Sequence, residues 1–206
     1  MRPLSREFYD RPALDAARGL LGCVVAAGGV SVRITEVEAY DGANDSASHA
    51  FRGLTPRNAV MFGPPGHAYV YFTYGMHFCM NLVCGPPSVA AAVLLRAGEV
   101  VGGLEIAESR RPAARPRDLA RGPARLCVAL GVDRTLDGTD VTKESSAITV
   151  AAGERVPDEA VRVGPRVGIS AAADWPYRLW IDGDPSVSVY RAHVARRRGE
   201  PKLSDS

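Results

Sequence analysis

The stretch SVRITEVEAY, residues 31–40, predicts the strand around which the fold is organised. Polar and apolar side chains alternate along it, which is typical of a β-strand with two different faces. Because side chains two positions apart share a face, one face carries Ile34, Glu36, Glu38 and Tyr40. Two carboxylates and a tyrosine on one strand face make it the first candidate for a functional site.

Short elements surround this strand. Residues 12–21, PALDAARGLL, place apolar side chains along one side and predict a short helix that begins at a proline. Residues 22–27 predict a partner strand, joined to the central strand through the Gly28-Gly29 turn. Residues 41–67 are rich in turn-forming types and predict a long loop, with at most one helical turn around 44–51.

Two aromatic and β-branched runs, AYVYFTY and FCMNLVC, flank Gly75-Met76-His77 and predict a β-hairpin. Alternation places Tyr69, Tyr71 and Thr73 on one face of this hairpin. We expect the opposite face, with Val70 and Phe72, to pack into the core, and Tyr74 to lie at the tip.

The second half of the chain predicts further short elements. Residues 89–96 predict a buried strand that ends at Arg96, residues 99–110 a helix, and residues 122–131 a helix bounded by Gly122-Pro123 and Gly131. Short strands are expected at 166–170 and 177–182. The order of elements predicts an α+β fold: a single mixed domain over residues 1–195, with a curved, mainly antiparallel sheet, surrounding helices and a protruding β-hairpin. Residues 196–206 are expected to form a disordered tail.

The composition is that of a globular protein. Of the 206 residues 46% are hydrophobic and 23% are charged, and the formal net charge is only +2. The four cysteines are not spaced like metal ligands, so we expect buried thiols and no metal or cofactor. Because residues 1–10 lack a signal-peptide pattern and no run is long enough to span a membrane, we expect a cytoplasmic protein with no membrane contact.

Several residues could carry chemistry, and each also has a structural interpretation. A strand glutamate such as Glu38 can act as a general base, but it more often faces solvent. Arg96, at the end of a buried strand, needs a partner and by default forms a structural salt bridge. Asn81 is most often a structural amide, and a bulky residue at a hairpin tip, such as Tyr74, is usually a partly buried cap.

Long ordered motifs add a family resemblance. ITEVEAYDGANDSASHAFRGLTPRNAVMF, GHAYVYFTYGMHFCMN and VAAAVLLRAGE resemble the alkyladenine (3-methyladenine) DNA glycosylase family. The resemblance continues through EFYDRPALDAARGLLG, RGPARLCVALGVD, RVGIS and DWPYRLWIDGDPSVSV, and so covers residues from about 7 to 190. It implies the same mixed single-domain fold and the excision of altered bases from double-stranded DNA.

The resemblance also implies a role for each matched position. Glu38 takes the place of the general base, and Arg96 and the carbonyl group of Val167 would help to hold the attacking water. Tyr40, His49 and Tyr71 match the aromatic walls around the extruded base, and cationic bases are attracted to such π faces. Asn81 matches a residue that crowds the exocyclic amine of normal guanine.

The remaining matched positions concern the DNA itself. Tyr74 matches an intercalating residue, with Met76 beside it, because an extruded base leaves a gap that a wedge can fill. Arg125 matches a phosphate-binding residue, and we expect the same of Arg111 in the arginine-rich segment 110–121. The chain departs from the family at His77, where a tyrosine is usual, and in a short loop before Thr55.

Lysine occurs only at Lys143 and Lys202, outside the motifs, and a strand-cleaving glycosylase needs an amine nucleophile. We therefore expect a monofunctional, monomeric hydrolase of base excision repair, associated with the nucleoid through DNA. It would hydrolyse the N-glycosidic bond of alkylated or deaminated purines and leave an abasic site. Two alternatives stay open: a nucleosidase that uses Glu36 and Glu38 on free modified nucleosides, and a lesion-binding protein without activity.

Overall fold

The computed structural model describes residues 2–73 and 75–193. Within these ranges it contains four α-helices: α1 (Arg6–Tyr9), α2 (Ala13–Leu20), α3 (Leu104–Arg110) and α4 (Pro123–Leu130). It also contains eight strands: β1 (Val24–Ala27), β2 (Val30–Asp41), β3 (Ala68–Thr73), β4 (His77–Cys84), β5 (Ala91–Gly102), β6 (Ile148–Ala151), β7 (Val161–Gly164) and β8 (Arg178–Ile181). Short 3₁₀ turns at Gly42–Asn44 and Ala59–Phe62 interrupt the long loop after β2.

All strands belong to one antiparallel sheet, with the main order β3-β4-β5-β2-β1-β6. β8 pairs with the second half of β2, on the same side as β1, and β7 pairs with β8. β2 is therefore bounded by strands along both edges. The predicted α+β class, the mainly antiparallel sheet and the hairpin are confirmed.

Helices α2 and α4 pack on one face of the sheet. Alternate residues of the central strands point into this core, such as Val93 and Leu95 of β5, which are fully buried. Their neighbours Ala92 and Leu94 point to the opposite face, which the loop 42–66 covers through a smaller cluster around Met61. The main core and the candidate site therefore lie on opposite faces of the sheet. No helix of the described residues has both the length and the apolar character that a membrane crossing requires.

The central strand is less regular than its sequence predicts. β2 and β5 shift register on either side of Glu36, so that Thr35 of β2 and then Arg96 of β5 have no directly opposed partner. An extra residue reverses which side chains share a face. Ile34 consequently joins the core with Val37, while Glu36, Glu38 and Tyr40 lie on the other face, and the prediction that Ile34 shares their face was wrong.

Other boundaries also differ from prediction. β5 does not end at Arg96 but continues to Gly102, because residues after Arg96 pair with the first half of β2, and the following helix begins only at Leu104. Segment 166–170 forms no strand, because the Arg166 side chain is held in a buried ion pair with Asp45 and Gly168 has a positive φ of 72°.

The hairpin also differs in its packing. Phe72 is 46% exposed and stacks on Phe78 across the hairpin, because the core does not reach this end of the sheet; the prediction that it is a core residue was wrong. Helix α1 was not predicted, whereas α2, α4 and the four buried, unpaired cysteines were. The tail predicted to be disordered, 196–206, lies outside the described residues.

Candidate active site

A cavity of about 230 Å³ opens on the sheet face opposite to α2. Its walls come from β2, β3, β4 and β5, from the loop after β2 and from the segment around Gly168. The structure brings together in its lining all the residues that were expected to contact the base or the water: Glu38, Tyr40, His49, Tyr71, Asn81, Arg96 and Val167.

The Glu38 carboxylate is held by donors on several sides. The side chain is fully buried in the cavity wall, and its Oε2 accepts a hydrogen bond from the Tyr40 hydroxyl at 2.9 Å. Its Oε1 accepts the backbone N–H of Val167 at 2.7 Å and lies 3.3 Å from Nη1 of Arg96. These contacts fix the positions of both carboxylate oxygens.

Val167 makes a contact with Glu38 that the resemblance does not imply. The family resemblance implies a carbonyl group as a ligand of water, whereas the contact that the structure shows is the N–H bond to Glu38. Val167 therefore orients the carboxylate directly.

Tyr40 remains a hydrogen-bond donor in this environment. Burial raises the pKa of its hydroxyl well above the ordinary value, and the negative charge of Glu38 raises it further. Because the Tyr40 hydroxyl keeps its proton and donates a hydrogen bond to Oε2 of Glu38, the Tyr40 ring and the Glu38 side chain orient one another.

Glu36 lies on the same face but has a different set of partners. Its Oε1 accepts from Nε of Arg178 at 2.7 Å, from Nε of Arg96 at 2.9 Å and from the Ser188 hydroxyl at 2.9 Å. Its Oε2 accepts the Ser188 N–H at 2.7 Å. Burial alone would raise the pKa of Glu36, but Arg96 and Arg178 hold it below the ordinary value. Glu36 is thus bonded through both carboxylate oxygens, and it holds Arg96 beside Glu38.

Aromatic rings line the cavity walls. The ring centroids of His49 and Tyr71 are 4.6 Å apart in an edge-to-face arrangement, and Tyr69 stacks on Tyr71 at 5.4 Å. Nδ1 of His49 lies 3.1 Å from the Tyr69 hydroxyl. The sequence placed Tyr69 on this face but gave it no role, although its alternation with Tyr71 was the available signal.

His49 is kept neutral and in place by its surroundings. Burial lowers the pKa of its imidazole, and the nearby Arg57 lowers it further. The Asn58 amide donates to the carbonyl groups of His49 and Gly53 and so closes the loop that carries His49. No role was predicted for Asn58, although it lies in the stretch Thr55-Pro56-Arg57-Asn58 of the first family motif.

Asn81 is buried in the cavity wall beside Leu94, and its Nδ2 donates to the Tyr69 carbonyl group at 3.3 Å. That bond fixes the Asn81 side chain in the cavity wall. Of the predicted DNA-contacting residues, Met76 is 69% exposed next to the hairpin tip, and Tyr74 lies outside the described residues.

The two predicted phosphate-binding arginines lie near one another. Burial lowers the pKa of Arg111, and the positive charge of the nearby Arg125 lowers it further. Nη1 of Arg111 donates to the carbonyl groups of Asp118 and Leu119. The exposed Arg125 is therefore the more accessible of the two arginines for a contact with phosphate. Arg125 is two residues from Pro123, which lines the cavity. The described residues contain no cluster of three or more potential metal-ligating side chains.

Comparison with known proteins is consistent with this geometry. Residues 7–185 match the family model described as Methylpurine-DNA glycosylase (MPG). A protein of Streptomyces avermitilis is 58% identical over 203 residues, which cover 95% of each chain. Relatives from Frankia casuarinae and Burkholderia lata are 52% and 49% identical and cover 88% and 90% of this chain and 90% of their own. All three carry the name "Putative 3-methyladenine DNA glycosylase".

Proposed function

Because the chain belongs to the methylpurine-DNA glycosylase family, we propose that it is a monofunctional, monomeric enzyme of base excision repair. It extrudes alkylated or deaminated purines from duplex DNA and hydrolyses the N-glycosidic bond, leaving an abasic site. The observation that carries this proposal is the Glu38 carboxylate, fixed by Tyr40, Val167 and Arg96 at the wall of a cavity lined with aromatic rings.

Glu38 has the properties that the reaction requires. A water that approaches the sugar C1′ forms the new C–O bond and gives its proton to the carboxylate, while the C–N bond breaks and its electron pair leaves with the base. The carboxylate also stabilises the positive charge that develops on the sugar. Arg96, held by Glu36, is the positive group that lies beside Glu38 and helps to fix its position.

The aromatic walls accept the extruded base. Tyr40 forms one side, and Tyr71 with the edge-on His49 forms the other, so that a purine can stack between them. His49 is neutral, and it does not repel a cationic base. Asn81 narrows the space near the base and disfavours the exocyclic amine of normal guanine.

The absence of a suitable amine supports simple hydrolysis. The described residues that line the cavity include no lysine, and Lys143 forms an ion pair at 3.5 Å with Asp140, which also pairs with Arg6. Without an amine there is no Schiff base with the sugar and no strand cleavage through it.

DNA would be held outside the cavity. We expect Tyr74 and Met76 at the hairpin tip to fill the gap left by the base, and Arg125 with Arg111 to contact phosphate. These contacts position the duplex, whereas the cavity selects the base.

The test is excision from duplex oligonucleotides that each carry one lesion: 3-methyladenine, 7-methylguanine, hypoxanthine or ethenoadenine. We expect abasic sites that break only under alkali. Glu38→Gln should keep lesion binding and reduce excision by at least about a hundredfold, the usual minimum for a general base. Glu144→Gln, at an exposed position, is the matched control and should behave as wild type.

Each other outcome points to one alternative. Base release by Glu38→Gln at the wild-type rate would remove Glu38 as the base. Activity confined to free modified nucleosides would indicate a nucleosidase. Binding to lesions with no excision by the wild type would indicate a non-enzymatic lesion-binding protein.

A further inference from the structure

A buried ion pair lies behind the Tyr40 wall of the cavity. Arg166 and Asp45 have side chains with no exposed surface, and they pair in a two-pronged arrangement. Nη2 of Arg166 donates to Oδ1 of Asp45 at 2.8 Å, and Nη1 donates to Oδ2 and to the Ala39 carbonyl group. A buried guanidinium is tolerated because this carboxylate compensates its charge.

The guanidinium is also in contact with the wall itself. Its Cζ lies 4.6 Å from the centroid of the Tyr40 ring and 5.4 Å from that of Tyr177. Tyr40 lines the cavity, whereas Arg166 and Asp45 do not. Arg166 therefore stacks on the face of Tyr40 that points away from the cavity, while the base stacks on the other face.

This arrangement bears on the charge of the base. A cation over an aromatic ring draws on the same negative π density that attracts a cation to the opposite face. 7-Methylguanine in DNA is positively charged, whereas hypoxanthine is neutral. A bare guanidinium behind Tyr40 would thus repel the first and leave the second largely unaffected, and it is Asp45 that prevents this repulsion.

We propose that Asp45 is a specificity-determining residue, which allows the cavity to accept positively charged purines by neutralising Arg166 behind the Tyr40 ring. This inference rests on the proposed function. Asp45 acts through Arg166 and is a positioning residue that does not touch the base. Its effect is electrostatic, so it separates substrates by charge and not by size.

The expected size follows from Coulomb's law. A base stacked about 3.5 Å beyond the ring lies roughly 8 Å from Cζ of Arg166. At an effective dielectric constant of about 20, a full positive charge at that distance corresponds to roughly thirtyfold in rate, and partial relaxation reduces this to about tenfold. An effect of that size is easily measured as a ratio of two rates.

The experiment compares single-turnover excision of 7-methylguanine and of hypoxanthine by the wild type and by Asp45→Asn, below neutral pH, where 7-methylguanine carries its positive charge. We expect the ratio of the two rates to fall about tenfold in Asp45→Asn. The double variant Asp45→Asn/Arg166→Gln removes the guanidinium as well and should restore the wild-type ratio, even where both rates are lower. Where Asp45→Asn does not fold, Asp45→Ser removes the same charge and leaves space for a water beside Arg166.

The outcomes are distinguishable. An unchanged ratio in a folded single variant overturns the inference, and so does a lowered ratio that persists in the double variant, because a distorted wall and not charge would then be the cause. A wild type that excises neither base contradicts the proposed function instead.

Discussion

At the scale of single residues, two glutamates on one strand face differ through their partners alone. Glu36 and Glu38 are both without exposed surface, yet Glu36 is bonded to Arg96, Arg178 and Ser188, whereas Glu38 lines the cavity. A carboxylate saturated by fixed donors is a poor base, and one that faces an open cavity can receive a proton from water. This difference in surroundings supports the proposed roles, structural for Glu36 and catalytic for Glu38.

This difference predicts unequal effects on stability. Glu36→Gln leaves Arg96 and Arg178 buried beside a neutral amide, so we expect a loss of about 3 kcal/mol in the free energy of unfolding. Glu38→Gln should cost less, because the amide oxygen can still accept from Val167 while the amide nitrogen donates to the Tyr40 hydroxyl, which then acts as the acceptor. Urea unfolding measures both, and equal losses in the two variants would contradict the separate roles.

The sequence predicted the cavity residues better than their supports. Tyr40, Glu38 and Tyr71 follow from strand alternation and from the family motifs, and the structure brings them together. Asn58 lies outside the regular strands, so alternation could not assign it, and Arg166 could not be found because its partner lies in another segment. The partner of Arg166, for example, is 121 residues away in sequence, and no local pattern encodes that pairing.

At the scale of elements, irregularity in β2 and β5 determines which side chains reach the cavity. The extra residues Thr35 and Arg96 occur where β2 passes from β1 to β8 as its neighbour. A bulge re-aims side chains next to active sites. The bulge depends on how β2 pairs with β1, β5 and β8. Periodicity within one segment therefore predicted the strand correctly but the face of Ile34 wrongly.

The bulged region also needs a residue without a side chain. A Cβ on Gly98 would lie 2.3 Å from the Arg33 carbonyl oxygen and 2.4 Å from Cγ1 of Val32, whereas one on Gly102 would first meet Ser31 at 3.3 Å. We expect Gly98→Ala to reduce the free energy of unfolding by about 2 kcal/mol, which is typical of overpacking. Gly102→Ala is the matched control on the same strand, and thermal unfolding should show a much smaller change. A loss as large for Gly102→Ala would contradict this explanation.

At the scale of the whole molecule, the position of positive charge matters more than its amount. The net charge is only +2, but Arg125 is exposed near the cavity, and Arg57 lies over the Tyr71 ring of its wall. Charges that are gathered near the cavity can hold a duplex there even when the rest of the surface is balanced.

Binding to duplex DNA should therefore weaken steeply with salt. Each phosphate contact contributes about −0.9 to the slope of log K against log salt concentration. We expect Arg125→Ala to lower that slope by about one. Arg155→Ala, after β6 at the other edge of the sheet, should leave it unchanged. Fluorescence anisotropy over a salt series measures both, and a slope that is unaltered in Arg125→Ala would exclude this residue from the interface.

The anchoring of Glu36 has a consequence for the order in which the molecule is made. Two of its partners, Arg178 and Ser188, are 142 and 152 residues later in the chain. At a translation rate of about 5 to 20 residues per second, Glu36 is synthesised roughly 8 to 30 s before Ser188. During that interval β2 and Arg96 can assemble, but the carboxylate lacks its complete set of donors. The donor set that fixes Glu36, and through it Arg96, is therefore complete only after Ser188 has been synthesised.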